Sequence, residues 1–232
     1  FRALERHIVG DRLEEGFSKD VDGFLAYSLS VQNRRKSRVG SALENHIEEI
    51  LIKCGIRYDR TKITENKSKP DFIFPGIAEY GDTTFPSARL TMLGVKSTCK
   101  DRWRQVLAEA DRIDDKHLLT LEPAISTAQT DEMKDKRLSL VIPKGLHSSY
   151  TAAQQEWLMT FTNFIEEVRD DSEPLKDDIE GGGQQFGNDL CGIDLYVPAE
   201  REGLGLSGFY FGEGVLPRRC HFDIGNLLVL YR

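Results

Sequence analysis

Two apolar stretches in the first half of the chain decide the fold: Asp71-Phe-Ile-Phe74 and Leu90-Thr-Met-Leu-Gly-Val-Lys96. The first breaks at Pro75-Gly76, which is typical of a short strand followed by a turn. The second is a mostly apolar run that ends in a charge, as a central strand does when it reaches a functional site. The sequence therefore predicts neighbouring strands, with Asp71 at the start of one and Lys96 at the end of the other.

Helical and strand patterns alternate around these two strands. The predicted helices cover residues 43–54, 103–113 and 157–168, and the further buried strands cover 116–121 and 137–142. The first helix should end at Gly55, a residue that often follows a helix C-terminus. This order of elements predicts an α/β fold in which a central mixed sheet is flanked by helices.

The composition changes sharply after residue 168. Residues 169–183 are acidic, contain proline and end in a run of glycines, which is typical of a linker, so we place the linker at 169–186. We therefore expect one large domain over residues 1–168 and a small β-rich extension over 187–232. The strands predicted in the extension are 193–197, 208–211 and 226–231.

The distribution of charge matters more than its sum. The net charge is −7, but residues 169–232 hold 6 basic and 12 acidic residues, which leaves 25 basic and 26 acidic residues before them. The first part is thus nearly neutral, and a local basic face is enough for nucleic acid to bind. One basic cluster lies at Lys96 to Arg104, and the other consists of Arg34, Arg35, Lys36 and Arg38.

Two kinds of protein are disfavoured. No apolar stretch approaches the ~18–20 residues that cross a bilayer, so we expect no membrane partner. The four cysteines lie far apart without a zinc-ligand spacing, so we expect reduced thiols in a cytoplasmic protein and a metal site built from oxygen ligands.

Asp71 and Lys96 carry the first chemical signal. Lys96 lies 25 residues after Asp71, and the two strands would bring both side chains to one edge of the sheet. A carboxylate can hold Mg²⁺, which polarises a phosphoryl oxygen, while a nearby ammonium group orients the attacking water. The pair therefore favours phosphodiester hydrolysis, although a turn aspartate and a surface lysine would give the same pattern.

The second carboxylate of such a site usually lies two residues before the lysine, and this chain has Gly94 there. Glu109 is the candidate replacement, two turns into a helix that Thr98 and Asp101 would cap. Glu44, on the helix over 43–54, could approach the same site. The residues alone favour an ordinary exposed helix glutamate for Glu109, whereas for Glu44 the two interpretations are equally good.

Lys100, Asp101 and Arg102 lie in the first turn of the predicted helix. An arginine is well matched to guanine O6 and N7, and a carboxylate accepts from cytosine N4. This run could place base recognition beside backbone cleavage. Asp101 could instead act only as a helix cap.

Five motifs resemble the catalytic domain of EcoRII-like type II restriction endonucleases, which belong to the PD-(D/E)XK nucleases. They are Asn33-Arg-Arg-Lys-Ser-Arg38, Glu44-Asn-His46, Lys69-Pro-Asp-Phe-Ile-Phe-Pro75, Leu93-Gly-Val-Lys-Ser-Thr-Cys-Lys-Asp-Arg-Trp-Arg-Gln-Val-Leu107 and Glu109-Ala-Asp-Arg-Ile113. The resemblance covers about residues 1–168. EcoRII carries an N-terminal DNA-binding effector domain, and this chain begins about where that domain would end, so we expect effector control to be absent or removed.

The resemblance implies a Mg²⁺-dependent enzyme from a bacterium or archaeon that cuts double-stranded DNA as a homodimer. It implies a CCWGG or CCNGG-like target, 5′ overhangs and flipping of the central bases. The implied catalytic residues are Asp71, Lys96 and Glu109, with Glu44 as an accessory acid and with Asp71 and Glu109 as the metal ligands. Lys100, Asp101 and Arg102 are implied to read the outer base pairs, and Tyr80 to have a structural role.

Two other functions remain open at this point. One is a structure-selective DNA repair nuclease of the same fold, which would cut only at mismatches or junctions. The other is a DNA-binding module without catalysis, against which the presence of Asp71, Lys96 and Glu109 argues.

Overall fold

The structure, a computed structural model, describes residues 2–99, 102–172, 195–196 and 222–223. The chain divides into two compact units, residues 1–42 and 43–232. The first unit contains helix α1 (Arg2–Glu15) and most of helix α2 (Val21–Lys53). Asp20 caps α2, because its carboxylate accepts a hydrogen bond of 2.8 Å from the backbone N–H of Gly23.

The second unit contains the last part of α2 and a sheet with its covering helices. Its strands are β1 (Asp59–Arg60), β2 (Phe72–Phe74), β3 (Thr91–Lys96), β4 (Lys116–Thr120) and β5 (Leu138–Val141). Its helices are α3 (Ile77–Gly81), α4 (Trp103–Leu107), α5 (Thr127–Asp135), α6 (Ala152–Gln155) and α7 (Phe161–Ser172). A separate pair of parallel two-residue strands, β6 (Leu195–Tyr196) and β7 (Phe222–Asp223), follows.

The five strands form one mixed sheet in the order β1-β2-β3-β4-β5. The pairs β1/β2 and β2/β3 are antiparallel, whereas β3/β4 and β4/β5 are parallel. β3 is therefore the strand at which the sheet changes direction, and it is buried along all but its last residue. This arrangement confirms the predicted mixed sheet flanked by helices.

Apolar residues cover both faces of this sheet. On one face, Trp103 and Val106 of α4 pack with Met92 of β3 and Leu118 of β4 in a buried cluster. Elsewhere in the unit, Phe164 of α7 makes an edge contact with Phe74 of β2, with ring centroids 5.6 Å apart. Strands β2 to β5 are buried along most of their length, which explains why they are rich in apolar residues.

The structure corrects three predicted elements. α4 begins at Trp103 without a side-chain cap and ends at Leu107, so the helix predicted over 103–113 is too long and Thr98 does not cap it. The helix predicted from residue 157 starts at Phe161, because Met159 is bonded to the edge of β5 through Leu140 and Ile142. The helix predicted from residue 43 begins at Val21 as α2, so its residues 21–42 were not predicted, and neither was helix α1.

The end of the chain is described only in part. α7 continues to Ser172, so residues 169–172 of the predicted linker are helical, and 173–186 lie outside the described residues. Leu195–Tyr196 agrees with the strand predicted over 193–197, whereas the strands predicted over 208–211 and 226–231 also lie outside the described residues. Among the described helices, none has both the length and the apolar character needed to cross a membrane.

Candidate active site

Asp71 and Lys96 meet at one edge of the sheet, as the strand pattern predicts. Asp71 directly precedes β2, Lys96 ends β3, and the register pairs Phe72 with Leu93. The Asp71 Oδ2 atom accepts hydrogen bonds of 2.6 Å from the Lys96 ammonium and 2.6 Å from the backbone N–H of Val95. Both side chains are largely sheltered, with 15% of Asp71 and 11% of Lys96 exposed. The ion pair therefore has a fixed orientation.

Gly94 is where a strand-borne second carboxylate would stand, and packing forbids a side chain there. A Cβ atom on Gly94 would lie 2.8 Å from Cγ2 and 3.1 Å from Cγ1 of Val106. The glycine thus allows α4 to lie directly against β3. Glu109 follows α4 by two residues, so the close approach brings its turn to the same part of the sheet.

The Glu109 carboxyl has a buried oxygen whose hydrogen-bonding capacity is not satisfied by the described residues. The carboxyl is partly buried, and among the described residues its Oε2 atom is buried without a hydrogen-bond partner. The pKa of Glu109 is raised to about 7, chiefly by burial; among the nearby charges, Lys96 lowers it, Asp71 raises it and Lys116 lowers it. A carboxyl that is buried and unpartnered is costly unless a cation or proton compensates it.

Asp71 and Glu109 together suit a hard divalent cation. Mg²⁺ is commonly held by one or two carboxylates, with waters and phosphate oxygens as its remaining ligands. Within the described part of the chain, no cluster of three or more Asp, Glu, His or Cys side chains is arranged to hold a metal. Two carboxylates alone would leave the other positions of such an ion to water and phosphate oxygens.

Glu44 lies in a different pair of contacts. The Arg60 guanidinium donates to the Glu44 carboxylate at 2.9 Å and also pairs with Glu48. Arg60 faces Phe72 in the β1/β2 register, so this ion pair is close to the start of β2. Glu44 thus comes near the edge that carries Asp71, but its carboxylate is already paired with the Arg60 guanidinium.

The predicted DNA-reading residues are described only in part. Arg102 is exposed at the N-terminus of α4, and its backbone N–H donates to the carbonyl of Cys99 at 2.8 Å. Lys100 and Asp101 lie outside the described residues. The cluster Arg34, Arg35, Lys36 and Arg38 is exposed on α2 within the first unit.

Tyr80 is committed to structural contacts. Its hydroxyl donates to the Glu65 carboxylate at 2.5 Å and accepts from the backbone N–H of Arg112 at 3.3 Å. These contacts support the predicted structural role. Sequence analysis missed Glu65 and also Lys116, whose only signal was a lysine at the start of an otherwise uncharged buried strand.

A mixed sheet with a carboxylate and a lysine at one edge is typical of the restriction-endonuclease-like fold. Comparison of the sequence with known families identifies the family. The model of the family described as EcoRII C terminal matches residues 1–165. The chain therefore belongs to this family. A curated relative, the type II restriction enzyme EcoRII of Escherichia coli, is 48% identical over 169 residues, which are 72% of this chain and 42% of that protein. The chain thus spans less than half the length of that relative.

Solved structures of Ecl18kI share the fold. Metal-depleted Ecl18kI bound to uncleaved, modified DNA superposes with a TM-score of 0.62 at 20% identity, covering 79% of this chain and 68% of that one. Metal-depleted Ecl18kI bound to uncleaved DNA gives a TM-score of 0.59 at 20% identity, covering 74% and 64%. At this level of identity the likeness concerns the fold alone.

Proposed function

We propose that this chain is the catalytic part of a type II restriction endonuclease that makes Mg²⁺-dependent, sequence-specific double-strand cuts in DNA. The target would be CCWGG or a CCNGG-like site, cut by a homodimer to leave 5′ overhangs. The observation that carries the proposal is the Glu109 carboxyl, which interacts electrostatically with Asp71 and Lys96 and whose buried Oε2 atom has no hydrogen-bond partner among the described residues. Membership of the EcoRII C-terminal family supports it.

The proposed mechanism assigns a distinct task to each side chain. Asp71 and Glu109 would hold the cation, which when bound polarises a phosphoryl oxygen and makes a nearby water a better nucleophile. Val95 and Lys96 orient the Asp71 carboxylate through their two hydrogen bonds. The Lys96 ammonium orients the attacking water and offsets the negative charge that develops on the phosphate. Glu44 would act as an accessory acid after leaving Arg60.

DNA recognition is proposed for two groups of residues. Lys100, Asp101 and Arg102 would read base edges in the major groove, since arginine pairs with guanine and a carboxylate accepts from cytosine. Arg34, Arg35, Lys36 and Arg38 would contact phosphates, because exposed basic side chains on a helix supply sequence-independent affinity.

The test is digestion of a plasmid of known sequence by the purified chain with Mg²⁺, followed by sequencing of the cut ends. We expect discrete fragments with ends at one pentanucleotide motif. Lys96→Ala and Asp71→Ala should lower cleavage by more than about a hundredfold, the scale of lost charge stabilisation in other active sites, while retaining DNA binding. Lys134→Ala, an exposed lysine on α5, is the matched control and should cleave normally.

Other outcomes would identify the alternatives. Cleavage confined to mismatched or branched DNA would support a repair nuclease. Specific DNA binding without any Mg²⁺-dependent cleavage would support a non-catalytic module. Full activity of Lys96→Ala or Asp71→Ala would remove the assigned catalytic set.

A further inference from the structure

Lys116 holds the turn that carries Glu109. Although it is charged, this first residue of β4 is only 7% exposed. Its ammonium donates to the backbone carbonyls of Glu109 at 2.5 Å, Ala110 at 2.9 Å and Ile113 at 2.8 Å. A lysine ammonium has three donors, and here each of them has a partner.

The turn has a backbone conformation that needs support. Ala110 has a φ of +50°, in the left-handed region, and is buried. A residue with a Cβ atom is disfavoured in this region, and it persists there when its surroundings hold it in place. The three carbonyls bound by Lys116 lie on both sides of this residue. The lysine is therefore a direct restraint on the strained turn.

This restraint matters because, among the described residues, no hydrogen bond holds the buried Oε2 atom of the Glu109 side chain. Within the described residues, the Oε2 atom of Glu109 has no hydrogen-bond partner, whereas the carbonyl of the same residue is bound by Lys116. The direction of the carboxylate is thus set mainly by the position of its peptide. Ser68 adds a hydrogen bond of 3.2 Å to the preceding carbonyl, of Ala108, but it contacts neither Glu109 nor Ala110.

We propose that Lys116 is a positioning residue for divalent-cation binding, which fixes the Glu109 peptide so that its carboxylate stays beside Asp71. The inference rests on the proposed function, because it concerns the cation that Asp71 and Glu109 are proposed to hold. Lys116 does not touch the cation or the DNA. It acts through Glu109 alone.

The test is a titration of the whole chain with Mn²⁺ at pH 8 without DNA. The electron paramagnetic resonance signal of free Mn²⁺ reports how much of the ion remains unbound. Four proteins are compared: wild type, Lys116→Met, Glu109→Gln and the double variant. We expect Lys116→Met to weaken Mn²⁺ binding about 10- to 100-fold, the range found when groups that orient metal ligands are removed. In the Glu109→Gln background the same substitution should change the affinity less than about twofold, since its effect passes through Glu109.

The controls separate positioning from general loss of stability. Phe161→Leu alters a buried residue of α7 away from the turn and should leave Mn²⁺ affinity unchanged. If Lys116→Met does not fold, Lys116→Gln keeps an amide donor and should show the same weakening and the same loss of effect in the Glu109→Gln background. Wild-type affinity in a folded Lys116 variant, or equal weakening with and without Glu109, would overturn the proposal. Wild-type affinity in Glu109→Gln itself would instead overturn the proposed metal site.

Discussion

Glu109→Gln should change how the stability of the protein depends on pH. The variant has nearly the same shape but cannot ionise. In the folded chain the pKa of Glu109 is raised from 4.5 to about 7, chiefly by burial. The folded state therefore binds this proton more tightly than the unfolded state does, so the favourable contribution is complete below pH 4.5 and is lost as the pH rises through about 7.

The magnitude follows from the two pKa values. A pKa that rises from 4.5 to about 7 corresponds to about 3 kcal/mol between the protonated and ionised forms. Because the carboxyl is only partly buried, solvent screens part of this energy, and we expect about 2 kcal/mol. Without divalent ions, the free energy of unfolding of Glu109→Gln minus that of wild type should thus increase by about 2 kcal/mol from pH 4 to pH 8.

Urea unfolding at several pH values, in buffer containing a chelator, measures this difference. Glu156→Gln, which replaces an exposed glutamate after α6, is the matched control. A constant difference between Glu109→Gln and wild type over this range would refute the reasoning that burial holds the proton on Glu109. So would a difference that is larger in acid than at pH 8.

Three further predictions concern packing, base reading and the metal. Gly94→Ala should lower the free energy of unfolding by about 1–3 kcal/mol in urea unfolding, because its Cβ would lie 2.8 Å from Val106, and Val106→Ala should restore part of the loss. Arg102→Ala should weaken binding to the target site by about 1–3 kcal/mol in fluorescence anisotropy and relax specificity, whereas Arg104→Ala is the control and equal loss in both would contradict a specific role. The apparent Kd for Mn²⁺ should rise about tenfold for each pH unit below about 7, because the Glu109 proton competes with the cation, and a constant Kd between pH 5 and 7 would contradict this.

The strands of the sheet were predictable because they are buried on both faces. β3, β4 and β5 are apolar runs bounded by polar residues, and such runs have few alternatives to a central strand. The end of α2 was predictable for a different reason. Gly55 has a φ of +67°, which a glycine adopts at little cost after a helix.

The turn that carries Glu109 shows why periodicity alone is insufficient. Ala110 and Ile113 continue the helical spacing of Trp103 and Val106, and both are buried as that spacing predicts. However, α4 ends at Leu107, and Ala110 has a positive φ. The apolar pattern therefore predicts correctly that Ala110 and Ile113 are buried, but it predicts wrongly that their backbone is helical. Lys116 lies only three to seven residues after the carbonyls that it binds, but an apolar spacing pattern does not register the contacts of a charged side chain.

The N-terminal helices were missed because their apolar residues do not mark one buried face. Ile8 and Leu13 of α1 are 43% and 55% exposed, and Phe24 and Leu29 of α2 are 44% and 58% exposed. A helix shows a clear apolar stripe when one of its faces packs on a core, whereas these apolar side chains are largely exposed.

The shortness of α4 has a consequence for how discrimination and chemistry could be linked. Five residues, about 7–8 Å of helix, separate Arg102 at one end from the turn of Glu109 at the other. In a helix this short, a displacement of the first residues moves the last residues by nearly the same amount. Correct docking on a cognate sequence would then also set the distance between two carboxylates, so a wrong base pair would slow the cut as well as loosen the complex.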